Sequence, residues 1–266
     1  MDQVILVTGA SAGIGRACAD RMHHQGWKVV GASRRGTSSG GWDPMVMDVD
    51  TDTSVRSGFE TLLAQHGRLD AVVACAGWGL AGAVEQTPIA DARDQLETNF
   101  WGAVRVVQEA LPVMRRQRSG RIVLISSIGG IIGIPFQAFY SASKFAMEGY
   151  AESLAYEVEP FNIQVTLVEP GNVRTDFTSS RRDVQAPDGD DPYAAAVAKA
   201  VAKMARDEAH GITPDEAAAT VQRALEARHP RRRVSVGKPG ERVGIISKRL
   251  MPYRLFEVAA KGSLGV

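Results

Sequence analysis

Compact apolar runs alternate along the chain with longer stretches in which apolar positions recur at helical spacing. The runs predict strands near residues 3–8, 28–33, 44–48, 70–75, 120–126, 162–168 and 232–236, and the amphipathic stretches predict helices near 13–25, 52–66, 88–118, 140–159, 214–228 and at the end of the chain. Strands and helices that alternate in this way imply an α/β fold: a doubly wound, seven-stranded parallel sheet with helices on both faces. The periodicity lapses from Thr178 to Pro192, where Ser, Arg, Asp, Gly and Pro replace it and a flexible segment is expected. Residues 237–266 form a C-terminal helical extension.

Composition narrows the class. At 266 residues the chain is long enough for one α/β domain spanning 1–266, and a formal net charge of +1 leaves no electrostatic footprint for nucleic acid. Cys18 and Cys75 are too few for a disulfide framework, and Cys18 falls at a packing position of the first helix. The five histidines lack ligand spacing, so no metal is expected. The first strand begins almost at once with no charged leader, and the longest apolar stretch, Ile122 to Ile134, is too short and too interrupted to span a bilayer. A cytoplasmic location is the expectation.

Two motifs carry chemistry. Thr8-Gly9-Ala10-Ser11-Ala12-Gly13-Ile14-Gly15 joins the first strand to the first helix, and its glycines suit a phosphate cradle: a tight turn, close backbone approach to a pyrophosphate, and a helix N-terminus facing it. Far downstream, Tyr140 and Lys144 stand four residues apart, on one face of a helix. A buried strand ends in Ser126-Ser127, thirteen residues before Tyr140; Asn99 and the Pro170-Gly171 turn followed by Thr175 fall between and after.

Together these residues resemble the short-chain dehydrogenase/reductase family over almost the whole chain. The resemblance implies a single-domain Rossmann fold in which Asn99, Ser127, Tyr140 and Lys144 form the catalytic set. It implies a nicotinamide cofactor against Gly9, Ser11, Gly13, Ile14, Gly15, Ser33, Arg34, Arg35, Asp48, Val49, Ala76, Gly77, Asn99, Tyr140, Lys144, Pro170, Gly171, Val173 and Thr175. It also implies a substrate loop or lid within 178–213, and dimers or tetramers formed through helices near 100–117 and 141–159. The fourth strand departs from the family: it ends Ala74-Cys75-Ala76-Gly77 rather than Asn-Asn-Ala-Gly, which leaves open how the central sheet is stiffened.

At the end of the second strand Ser33 stands where a carboxylate would accept from the ribose of NAD, and Arg34 and Arg35 follow, so NADP(H) is expected. Asp48 has two readings, an adenine contact or a helix cap. Tyr140 is the expected proton donor, its pKa lowered by Lys144; Ser127 would hold the substrate oxygen, and Asn99 would fix a water beside Lys144 or serve as a buried structural amide. Trp78 borders the nicotinamide pocket or packs.

Ile131, Ile132, Ile134, Pro135, Phe136, Phe139, Val173 and Phe177 suggest an apolar pocket for a hydrophobic ketone or alcohol. The segment from Val168 to Phe177 and the extension are similar to the hydroxysteroid and retinol branch. An acyl-thioester (3-oxoacyl) reductase, with Arg174, Arg181 and Arg182 as a carrier patch, and a non-catalytic NADPH-sensing scaffold are the alternatives. The run from Val243 to Val258, with Lys248, Arg249 and Arg254, reads as a pocket cover, a helix packed on the sheet, or a basic amphipathic helix on a membrane.

Overall fold

The computed structural model describes residues 3–37, 40–184 and 191–264. The chain begins with β1 (Val4–Thr8), α1 (Gly13–His24), β2 (Lys28–Ser33), β3 (Asp43–Val46), α2 (Asp52–His66) and β4 (Ala71–Ala74). It continues through β5 (Leu80–Ala81), α3 (Ile89–Leu96), α4 (Gly102–Gln117), β6 (Gly120–Ile125), α5 (Ala138–Val158) and β7 (Ile163–Pro170). Then follow α6 (Phe177–Ser180), β8 (Arg182–Asp183), α7 (Ala194–Ala209), α8 (Pro214–Glu226), β9 (Arg233–Val236), α9 (Pro239–Leu250) and α10 (Tyr253–Leu264).

Seven strands pair in the order β3-β2-β1-β4-β6-β7-β9, all parallel. β1 shows why the strands read as continuous apolar runs. Val4 and Leu6 join the core under α2, α4 and α5, whereas Ile5 and Val7 join the core under α1 and α8, because successive side chains point to opposite faces and both are covered. Each such burial contributes about 1.5–3 kcal/mol.

The strand order reverses between β1 and β4, so the chain leaves the sheet in opposite directions there and a crevice opens at the strand ends. Thr8 ties the crevice together: its hydroxyl oxygen accepts from the N–H of Cys75 at 3.1 Å and of Ala76 at 3.2 Å. This contact joins β1 to the segment after β4, where the missing asparagines had left the stiffening of the sheet open.

The helix expected over 88–118 is interrupted. α3 and α4 are separated by a widened π turn, Glu97–Trp101, which places Asn99 at the crevice. Of the expected flexible segment, the described residues 178–184 hold most of α6 and β8, and residues 185–190 lie outside the described residues; α7 falls in the remainder of the expected lid. β8 pairs with β5 in a separate two-stranded parallel sheet. Among the described residues no helix is long and apolar enough to cross a membrane, and no cluster of His, Cys, Asp or Glu has a metal-binding arrangement.

Candidate active site

A cavity of about 1420 Å³ opens at the carboxyl ends of the strands, and every residue of the expected catalytic set and of the expected cofactor contacts lines it. One end is the glycine turn. Gly9 has φ +68°, and a Cβ there would meet the backbone of Ala76 at 3.0 Å; a Cβ on Gly15 would lie 2.4 Å from the Gly9 carbonyl oxygen. Side chains at these positions would push β1, α1 and the end of β4 apart. Ala12 caps α1 without a side-chain bond, and the first turn holds no acid, so its N–H groups, apart from that of Gly15, which faces the Cys75 sulfur, are open to an anion. The residues therefore fit the phosphates of a dinucleotide.

At the end of β2 the Ser33 hydroxyl accepts from the Gly36 N–H at 3.1 Å, closing the turn that presents Arg34 and Arg35. Arg35 donates to the Ser11 hydroxyl at 3.0 Å, bridging this turn to the glycine loop. Asp48 does not cap α2, whose cap is Thr51; its Oδ1 accepts from the Asp50 N–H at 3.2 Å. Asp50 was not anticipated. Its Oδ2 accepts from Thr98 at 2.9 Å, its Oδ1 is buried without a partner, and burial raises its pKa.

The other end of the cavity holds the residues of the expected catalytic set. Ser127 follows β6, its Oγ accepting from the Gly129 N–H at 3.0 Å, while Tyr140 and Lys144 project from successive turns of α5. Burial raises the Tyr140 phenol, and a hydrogen bond with Ser127 opposes that rise. The expected lowering by Lys144 is therefore corrected. The ammonium lies 5.9 Å from the phenol ring centre and donates to the Ile125 carbonyl at 2.9 Å, so desolvation and the Ser127 bond govern Tyr140 instead. Lys144 itself falls to about 8 through burial. Cys75 nearby is pushed up to about 12 by burial and so is an uncharged thiol at neutral pH.

Asn99 is fully buried. Its Oδ1 accepts from the Trp78 N–H at 3.0 Å, and its Nδ2 donates to the Trp78 carbonyl at 3.0 Å and to Ser143 at 3.3 Å. Gly77 runs between Asn99 and Lys144, which a Cβ there would meet at 3.0 and 3.9 Å. Trp78 lines the cavity, its indole N–H bonded to Thr98 at 3.1 Å.

The apolar wall differs from expectation. Ile132, Ile134, Val173 and Phe177 line the cavity, but Ile131, Pro135, Phe136 and Phe139 do not; Met204, Met251 and Phe256 from the C-terminal third complete it. Phe177 meets Tyr140 edge to face, with ring centres 5.8 Å apart. Of the expected carrier patch, Arg174 and Arg182 are exposed and Arg181 is not. The Arg181 side chain is only 3 % exposed and is ion-paired to Glu208, while Arg182 pairs with Asp94 and stacks over Trp78.

Beneath the site Ser126 donates to the buried Glu148 at 2.5 Å, and burial lifts Glu148 to about 7. Glu148 lies one helical turn beyond Lys144, and that spacing was the only sequence signal for it. Nothing local marked its contact with Ser126.

The family model described as short chain dehydrogenase matches residues 3–186. The chain belongs to the short-chain dehydrogenase family. It is 38 % identical over 260 residues to a 3-ketodihydrosphingosine reductase of Bacteroides thetaiotaomicron, covering 97 % of each chain. It is 39 % identical over 190 residues to retinol dehydrogenase 8 of Bos taurus, covering 66 % of this chain and 60 % of that one. Among solved structures, a short-chain dehydrogenase from Streptomyces avermitilis superposes with a TM-score of 0.83 at 32 % identity, over 100 % of this chain and 97 % of that one. This short-chain dehydrogenase is thus an oxidoreductase of the carbonyl/alcohol type, from a family that uses nicotinamide cofactors.

Proposed function

We propose that the chain is an NADP(H)-dependent reductase of hydrophobic ketones, with Tyr140 as proton donor and Ser127 and Lys144 beside it. The observation that carries this reading is the buried Tyr140 phenol, with the Ser127 hydroxyl beside it next to Gly129, on the wall of a cavity whose far end is a helix N-terminus without a side-chain cap. The glycine turn would hold a nicotinamide cofactor, which would supply the hydride. Ser127 holds the substrate oxygen within reach of the phenol and stabilises charge developing on it. Tyr140 delivers its proton to that oxygen. A buried phenolate is costly, so the proton must be replaced promptly, and Lys144, close to neutral pH in its titration, is suited to pass one on. Asn99 holds the Trp78 segment after β4 alongside, and its Oδ1 keeps one lone pair for a water on the path from Lys144 to solvent.

Preference for NADP(H) rests on the end of β2, which carries no carboxylate. Arg34 and Arg35 are exposed at the cavity rim, where guanidinium groups pair with a 2′-phosphate. A lipid-like substrate is favoured by the apolar wall and by the 3-ketodihydrosphingosine reductase relative. Steroid- or retinoid-like and aromatic ketones fit the same wall. The acyl-carrier reading is weakened because Arg181 is buried and paired with Glu208. A sensing scaffold would not need all four of Asn99, Ser127, Tyr140 and Lys144. A cytoplasmic location, with two unpaired cysteines, belongs to this reading, as does a dimer or tetramer formed through α4 and α5, which expose Phe145 and Tyr156 on α5.

The test is NADPH consumption by the purified protein against long-chain 2-amino-3-ketones and against steroidal, retinoid, aromatic and acyl-thioester carbonyls, with Tyr140→Phe alongside. Turnover on hydrophobic ketones should fall about a hundredfold or more in the variant while NADPH binding persists. Near-normal turnover in the variant would refute the mechanism.

A further inference from the structure

The outer face of the two C-terminal helices carries more than half of the large hydrophobic residues exposed among the described residues. Of the thirteen large hydrophobic residues exposed in the described chain, seven lie between Val243 and Val258. On α9 they follow the helical period: Val243, Ile246 and Leu250 face outward while Ile245 is buried. α10 adds the exposed Tyr253, Leu255 and Val258; Leu250 is 79 % and Tyr253 73 % exposed. Monomeric proteins seldom leave such a patch without a use for it.

Charge is segregated into the same segment. Residues 237–266 hold six Lys and Arg against Glu241 and Glu257, a net +4 within a chain of net +1, although Lys248 turns inward onto the Ile131 carbonyl. Glu241 offsets little at the surface, because its carboxylate is turned inward onto the backbone N–H groups of Lys238 and Asn172 and the Asn172 amide. Lys238, Arg242 and Arg254 are exposed. The patch also runs into the cavity, since Val243 and Met251 are exposed and line it as well.

We propose that α9 and α10 dock the chain on an anionic lipid surface, with the cavity mouth against the bilayer so that a lipid-like ketone enters without crossing water. The apolar stripe would sink into the headgroup boundary while the arginines and lysine meet lipid phosphates. The nature of the entering substrate rests on the function proposed above; the docking does not.

The test is sedimentation of the full chain, without substrate or cofactor, with vesicles of phosphatidylcholine alone or of phosphatidylcholine with one third phosphatidylglycerol. The chain should favour the anionic vesicles by about tenfold or more, less so at raised salt. Binding should drop about tenfold in Ile246→Ser/Leu250→Ser/Leu255→Ser and also in Arg242→Gln/Arg254→Gln, each with an unchanged melting temperature. Failure to bind either vesicle, or full binding by both variants, overturns the proposal. So does a solution dimer that the triple variant converts to monomer, because the patch would then be a subunit interface. Vesicle binding as expected with no turnover of any ketone would support docking and count against the proposed reaction alone.

Discussion

The Asn99 carboxamide grips the Trp78 peptide from both sides, accepting from its N–H and donating to its carbonyl, each at 3.0 Å. Both residues are held beside Lys144 by the π turn between α3 and α4. Asn99→Ala strands two backbone groups, and we expect a loss of about 2–4 kcal/mol in urea denaturation. An Ala variant as stable as wild type would show that the clamp carries no load.

Arg34→Ala should weaken NADPH binding by about ten- to a hundredfold, the size of one charge-assisted bond to phosphate, while NADH affinity stays within about twofold. Fluorescence titration of both cofactors measures this. Equal losses for the two would assign Arg34 to general attraction and remove the basis for the NADP(H) preference.

Gly15→Ala places a methyl 2.4 Å from the Gly9 carbonyl oxygen and 3.1 Å from that of Thr8, both backbone atoms of the phosphate turn. Cofactor binding should be abolished and the melting temperature lowered. Gly149→Ala is the control. It is an exposed position within α5 where a Cβ meets nothing within 4 Å, and it should gain about 0.5–1 kcal/mol from helix propensity.

Glu148 makes stability depend on pH. Burial, reinforced by Glu169, lifts its carboxyl from 4.5 to about 7 against the pull of Ser126, Arg233 and Lys144. Between these values the unfolded chain has released the proton and the folded chain has kept it. Stability should therefore be greatest below about 4.5 as far as this group is concerned, decline as pH rises to about 7, and then level off, a loss on the order of 3 kcal/mol. Glu148→Gln keeps the acceptor for Ser126 and should flatten this slope, giving a variant more stable than wild type at pH 8. Urea midpoints at pH 5 and pH 8 that shift equally in both proteins would contradict this.

Much of the architecture was legible because its signals are local. β1, α1 and the glycine turn between them span residues 4–24, and the Tyr140–Lys144 pair needs only one helical turn to share a face. The interruption of the helix expected over 88–118 was not legible, since the apolar spacing runs through the π turn without a break and only the widened backbone reveals it. Arg181 illustrates the same limit. It reads as a solvated loop arginine, yet α7 returns over it and Glu208 takes its charge.

Hydrophobic periodicity and two short motifs determined the order of strands and helices, the parallel sheet and the end of it where a dinucleotide would lie, because each depends on residues within a turn or two of one another. Tertiary structure alone decided that Thr8 would bind the N–H groups of Cys75 and Ala76, that Asn99 would clamp Trp78, and that Ser126 would meet Glu148. Those partners lie from 21 to 68 residues apart, and they meet only where the crossover helices return each strand to its register.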